Sequence, residues 1–308
     1  MNENLEIKTR FSAEEFPLKL MNVKSQGTVR LHRHEFQELV VVHSGYGIHL
    51  LDNEKYAIGA GDVFLLTENH VHGYERTESL ALTNVLFLPQ RLFFLRGDVA
   101  SLPGCHALLH LEPRYRKKHA FMSRLRLDIA WLQPVTSILN ELAEELSTCR
   151  GGYQTMAIAA FMRLITELSR AYENFDLGVG QEVLVLGKVL SSMDRNYSKQ
   201  WNLDELAGTA NMSRRNFQRV FREAMGQTPM QYLIGIRIAN ACERLAHEGI
   251  TVKEISSICG YAEVNYFVRQ FRQQIGLTPG QYRETILQKA HYEKNRELCN
   301  KKIRASEI

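Results

Sequence analysis

The strongest constraint on this 308-residue chain is an internal repeat near its C-terminal end. Asn216 to Tyr232 and Tyr266 to Tyr282 share nine identities in seventeen positions at a constant offset of 50. Phe217, Arg219, Phe221, Arg222, Gly226, Thr228, Pro229, Gln231 and Tyr232 return as Phe267, Arg269, Phe271, Arg272, Gly276, Thr278, Pro279, Gln281 and Tyr282. Such a repeat means one supersecondary unit used twice. In each copy a short amphipathic helix comes first, from Leu203 and from Val252. A tight turn follows, Ala210 to Ser213 and Cys259 to Ala262. Ser213 is a good N-cap for the helix after it. The two phenylalanines of each copy are four residues apart, so they share one buried helix face. The opposite face then carries Ser213, Arg214, Arg215, Gln218, Arg219 and Arg222 in the first copy. In the second it carries Val264, Asn265, Val268 and Arg269. A helix-turn-helix with such a face suits the major groove of double-stranded DNA. Arginine forks onto guanine edges, and glutamine or asparagine pairs with adenine. Mere solvation of a helical repeat explains neither the turns nor the caps.

Charge placement agrees. The net charge is only +4. Fourteen Lys and Arg against ten Asp and Glu lie between Glu182 and Ala290, while the part before Glu182 is net negative. A positive third on a mildly basic chain permits nucleic-acid binding without demonstrating it. The five cysteines are scattered, with no Cys-x-x-Cys pair. That argues against a disulfide framework or zinc ribbon and for reduced, mostly buried thiols in a cytoplasm. No apolar run reaches the roughly 18–20 residues of a membrane helix, and Met1 to Arg10 lacks the layout of a secretory signal.

Upstream, about Phe16 to Leu88 reads as short strands punctuated by turns, the pattern of a small β-barrel. Leu39 to Val42 is an apolar strand ended by a glycine turn at Gly45; Ile48 to Leu51, Tyr56 to Ile58, Val63 to Leu66 and Leu80 to Leu88 follow. The period then becomes helical. Pro134 suits a first turn. Val135, Ile138, Leu139, Leu142 and Leu146 form one stripe, and Gly151-Gly152 ends the helix. Met156, Ala160, Phe161, Leu164, Ile165 and Leu168 stripe a second helix. Ile138, Leu139, Leu142 and Leu146 are expected to form the seam of a homodimer. The fold class is α+β multidomain, with an effector-binding and dimerisation domain at 1–172, a linker at 173–181, a DNA-binding domain at 182–290 and a charged tail at 291–308.

The C-terminal part, Val183 to Arg283, resembles the DNA-binding domain of the AraC/XylS family of bacterial regulators. Gly260-Tyr-Ala-Glu-Val-Asn-Tyr-Phe-Val-Arg-Gln-Phe271 and Gly276-Leu-Thr-Pro-Gly-Gln-Tyr-Arg283 carry the signature, and Tyr232, Leu233, Arg237 and Ala241 match the family's long joining helix. Ala262 departs from it, since the family more often has a polar residue there. The N-terminal part resembles that family's cupin-like sugar-sensing domains, and His32 to Leu39, Gly61-Asp62 and Leu102-Pro-Gly104 resemble its regulators of rhamnose operons. The resemblance implies a cytoplasmic, non-enzymatic, effector-responsive regulator, an activator of carbohydrate-utilisation genes that acts through RNA polymerase.

The effector site is expected at Arg30, His32, His34, Glu38, His72 and Tyr74. His32-x-His34-x₃-Glu38, with His72 downstream, also matches the first metal motif of enzymatic cupins. The second cupin motif is incomplete, with Thr67 and Asn69 where proline and glycine belong. Three readings stand: pocket residues contacting a sugar, structural hydrogen bonds, or a metal site. In the resembling family these positions line a pocket without metal, so no metal or other cofactor is expected. A metal-dependent cupin enzyme fused to a DNA-binding domain, and a regulator without an effector, are the rival functions.

Overall fold

Leu39 to Val42 is an unbroken apolar run, the pattern of a strand covered on both faces, and all four side chains are buried. They lie in β3 (Gln37–Leu51), the spine of a seven-stranded antiparallel sheet ordered β1-β6-β3-β5-β7, with β2 on β6 and β4 on β3. The other strands are β1 (Leu18–Val23), β2 (Val29–His32), β4 (Glu54–Gly59), β5 (Asp62–Leu66), β6 (His72–Phe87) and β7 (Leu125–Arg126). The computed structural model describes residues 11–68, 70–92, 98–122, 124–174, 181–246, 249–286 and 288. The tail at 291–308, residues 175–180 of the expected linker, Asn69, His247 and Cys299 lie outside them.

Two strand expectations are corrected. Gly45 does not end a strand: β3 runs fifteen residues, and its pairing with β6 shifts register from Val42 to Ile48. Gly45 has φ +72°, and a Cβ there would collide with the Ser79 carbonyl. The glycine therefore makes a bulge rather than a turn. Likewise Leu80 to Leu88 is only the second half of β6, whose first half carries polar residues and positive φ angles at Arg76 and Ser79. These bulges let the two long strands bend around a core of Val40, Leu51, Tyr56, Phe64, Tyr74 and Phe121 among others.

After a short helical segment, α1 (Pro103–His106), a π turn (Ala107–Leu111) and α2 (Glu112–Tyr115), come two long helices, α3 (Ile129–Thr148) and α4 (Tyr153–Asn174). The helical hairpin is present, with three corrections. α3 starts at Ile129, because Asp128 caps it by accepting from the Trp131 amide at 3.0 Å, so Pro134 lies inside the helix. It ends at Cys149, left-handed at φ +47°, before the two glycines. Met156 is 55% exposed and does not join the α4 stripe, which Ala157 enters instead. The expected dimer seam is corrected too. Ile138, Leu139 and Leu142 are at most 1% exposed within a single chain, where α3 packs on α4 and β1, so they have no surface left for a second copy. Leu146 alone of the four is half-buried.

α5 (Gln181–Arg195) lies close to Pro103, whose carbonyl a Cβ at Gly187 would approach at 2.5 Å. The chain divides into compact units at 1–191 and 192–308, later than the linker read from composition. The second unit holds α6 (Leu203–Thr209), α7 (Arg214–Met225), α8 (Pro229–Ala246), α9 (Val252–Ile258) and α10 (Val264–Ile275). Among the described residues no helix is long and apolar enough to cross a membrane. Cys105, Cys149, Cys242 and Cys259 are all thiols, with Cys149 exposed.

Candidate DNA-reading face and effector cavity

The second unit contains two helix-turn-helix motifs, α6–α7 and α9–α10. Each first helix opens with a capping box, Asn202 with Glu205 and Thr251 with Glu254, in which side chain and backbone amide satisfy each other reciprocally. Each second helix ends at a left-handed glycine, Gly226 at φ +70° and Gly276 at φ +82°. The buried aromatics repeat closely. Phe217 and Phe221 meet edge-on at 5.6 Å, Phe267 and Phe271 at 5.7 Å. Tyr232 then packs on Phe221 at 5.9 Å and Tyr282 on Phe271 at 5.5 Å. The recurring Thr-Pro-x-Gln is a further box. Thr228 and Gln231 exchange hydrogen bonds at 2.9 and 3.2 Å, Thr278 and Gln281 at 3.0 and 3.3 Å. It opens α8 and the helix starting at Pro279. The repeat shows these residues in the sequence, but their capping role becomes clear only from the bonds.

The outward face of α7 is as expected in exposure. Arg214, Arg215, Gln218, Arg219 and Arg222 are all exposed, and Ser213 caps the helix through the Asn216 amide. Arg219 is held on the helix surface by Asn216 Oδ1 at 2.9 Å and Glu223 Oε1 at 2.7 Å. Arg214 faces Asp204 at 3.6 Å. On α10, Asn265 and Arg269 are exposed, and the Arg269 guanidinium lies 5.9 Å from the Tyr266 ring. Val268 does not simply point outward: it packs partly against the core of the second motif, and Val264 is half-buried. Sequence reasoning gave Arg237 no role beyond family likeness. It is buried and donates to the carbonyls of Tyr197 at 2.7 Å and Lys199 at 2.8 Å, with its guanidinium 5.3 Å from the Tyr261 ring. It thereby ties α8 to the segment that contacts the second turn.

In the first unit, a cavity of about 290 Å³ opens between β1, β2, β3 and β6. Its wall brings together His32, His34, Glu38, His72 and Tyr74. Arg30 is the exception. Between Val29 and His32 the pairing of β2 with β6 shifts register, so Val29 and His32 both line the cavity while Arg30 is exposed outside it. The parity rule for strands fails at such a bulge. Sequence reasoning missed Asn84 and the apolar wall of Met21, Val23, Val29, Phe36 and Leu86.

The polar groups there are buried and short of partners. Tyr74 Oη, Asn84 Oδ1 and both ring nitrogens of His72 have no hydrogen-bond partner among the described residues. Burial, and then the neighbouring histidines, push the His72 imidazole well below its usual pKa, so the ring is neutral. Burial pushes the Tyr74 phenol well up, with the Glu38 charge adding to it. His49 lies just behind, 5.1 Å from the Tyr74 ring, also fully buried and neutral. Native proteins leave few such groups unsatisfied, so a cluster of them beside a cavity calls for a bound water, ion or ligand.

Comparison with known proteins identifies the domain type of each unit. Residues 24–168 match the AraC-like ligand binding domain and residues 206–285 match a helix-turn-helix domain. The chain is 30% identical over 274 residues to the HTH-type transcriptional activator RhaR of Salmonella schwarzengrund, covering 89% of this chain and 93% of that one. It is 28% identical over 284 residues to RhaR of Escherichia coli K12, covering 91% and 95%. A solved structure of the DNA-binding domain of AdpA in complex with a target DNA is 33% identical over 32% of this chain and 90% of that chain, with a TM-score of 0.32. The chain belongs to the AraC family of DNA-binding transcription regulators, with an AraC-like ligand-binding domain followed by a helix-turn-helix domain.

Proposed function

We propose that this regulator is an activator of carbohydrate-utilisation genes, switched by a small polyhydroxylated effector bound in the first unit. The cavity carries this reading: buried Tyr74 Oη and Asn84 Oδ1 face it without partners, beside His32. Hydroxyl groups supply both the donors and the acceptors such atoms need. The volume suits a monosaccharide-sized molecule better than a drug-sized one. Activation is the reading that the activator relatives support, and contact with RNA polymerase is the route proposed for it.

Arg215, Gln218 and Arg219 would enter one major groove and Asn265 and Arg269 the next, about one helical turn, about 34 Å, along the same face of the DNA. We place the working form as a homodimer. Its contact avoids Ile138, Leu139 and Leu142, which are buried within one chain.

The test is a thermal-shift screen of the full chain against monosaccharides, paired with a promoter reporter. One sugar should raise the melting temperature, and Tyr74→Phe with Asn84→Ala should remove that shift while DNA binding persists. Loss of one hydrogen-bonding partner costs about 1–3 kcal/mol. No shift with any sugar, together with constitutive reporter activity, would contradict the effector reading.

A further inference from the structure

Three donor groups from separate parts of the chain meet in the cavity wall. His34 comes from the β2–β3 connection, Glu38 from β3 and His72 from the start of β6. They are 2%, 4% and 1% exposed. His34 Nε2 stands 3.0 Å from Glu38 Oε2, and His72 Nε2 stands 3.9 Å from the same oxygen. One ligand atom from each of the three lies within 4.8 Å of the other two. Donors about 2.0–2.2 Å from a shared ion are about 3.0–3.5 Å apart. Small side-chain adjustments therefore close the set.

The hydrogen bonding argues more strongly than the distances. His34 Nδ1 is 2.8 Å from the Phe36 carbonyl. A carbonyl only accepts, so Nδ1 carries a proton, and Nε2 is the nitrogen turned toward Glu38. Despite its approach to Glu38, Nε2 makes no hydrogen bond among the described residues, and neither does either nitrogen of His72. A nitrogen and a carboxylate oxygen 3.0 Å apart need a proton or a metal cation between them. The residues lining the cavity include no lysine or arginine to supply it. A histidine that donates one N–H to a backbone carbonyl and keeps the other nitrogen for an ion is a common arrangement at metal centres.

We propose that His34, Glu38 and His72 bind one divalent first-row transition-metal ion. Two imidazoles and one carboxylate suit zinc or ferrous iron and leave coordination positions open. These face the cavity, where water or oxygen atoms of a bound molecule fill them. His32, its ring 4.2 Å from that of His72, lies beside the ion without belonging to the three-donor set. The inference goes beyond the effector reading and does not depend on it. It also departs from the expectation of a metal-free pocket, because the orientation of the His34 ring cannot be read from residue spacing.

The experiment uses the full, untagged chain, stripped with chelator and then titrated with Co(II) and Zn(II). Co(II) reports coordination through its visible absorption, and elemental analysis counts ions per folded chain. One ion per chain is expected. Glu38→Gln and His72→Asn should each bind at least about 100-fold more weakly, while Arg30→Ala, outside the cavity, should bind as the wild type does. A folded wild-type chain that takes up no ion overturns the proposal. So does a Glu38→Gln chain that melts normally and keeps the wild-type stoichiometry and Co(II) spectrum. Circular dichroism identifies any variant that fails to fold; the other variant and the wild-type titration then decide.

Discussion

The two helix-turn-helix motifs share a core and its capping boxes and differ in the face their second helices present. In the first, α7 presents four exposed arginines and is capped by Ser213. In the second, α10 presents Asn265 and two exposed arginines, Arg269 and Arg272, beside two partly buried valines, and Glu263 offers no side-chain cap. Its turn is secured from elsewhere. Gly260, at φ +80°, sits against the Ser198 carbonyl, and Gln200 Nε2 donates to the Gly260 carbonyl at 2.7 Å. Both first helices carry capping boxes, but the second helix is capped locally in one motif, while in the other the turn before it is tied from outside the motif. The faces differ in the same way. Clustered arginines supply charged phosphate contacts as well as base contacts, whereas asparagine and valine add no charge and suit base edges and thymine methyls. Duplication kept the packing and freed the surfaces to specialise.

The largest effects test whether the cores are equivalent. Phe217→Ala and Phe267→Ala, both fully buried, should each cost about 3–5 kcal/mol in denaturant unfolding of the full chain. A cost near zero for either would break the equivalence. Next come the reading residues. Arg219→Ala and Arg269→Ala should each lose about 1–3 kcal/mol on a specific site and much less on random DNA. Equal losses on both DNAs would reduce them to phosphate contacts. The caps come third. Ser213→Ala should cost about 1 kcal/mol, while Glu263→Ala, with no capping bond to lose, should stay within about 0.5 kcal/mol. Similar melting shifts for the two would remove the local-versus-tertiary distinction. The smallest effect concerns salt. Arg215→Ala should lower the slope of log affinity against log salt by about 1, and Asn265→Ala should leave it unchanged.

The second unit was largely legible in the sequence because a repeat at fixed offset fixes helix, turn and helix together, and the Ser213 cap follows from local chemistry alone. Val268 was misread because helical position does not say how far a neighbouring helix reaches over it. The first unit was legible as strands but not as a shape. Gly45 reads equally well as a turn or a bulge, and only the Ser79 carbonyl opposite decides. The same kind of bulge between Val29 and His32 removed Arg30 from the cavity. Ile138, Leu139 and Leu142 had the right spacing for a seam, but spacing does not tell whether the covering partner is another chain or α4 of the same one. Of the cavity, the histidines and Glu38 were legible from their motif; Asn84 had no local signal, since it arrives through the β6 pairing.

The central claim is that two unlike recognition helices read two successive grooves of one DNA face. Selection of binding sites from random duplex DNA by the full chain tests it most directly, with Arg219→Ala and Arg269→Ala selected in parallel. The account predicts two short conserved blocks about 10–10.5 base pairs apart, centre to centre, with each substitution relaxing a different block. A single block, or two blocks that both substitutions relax equally, would contradict it.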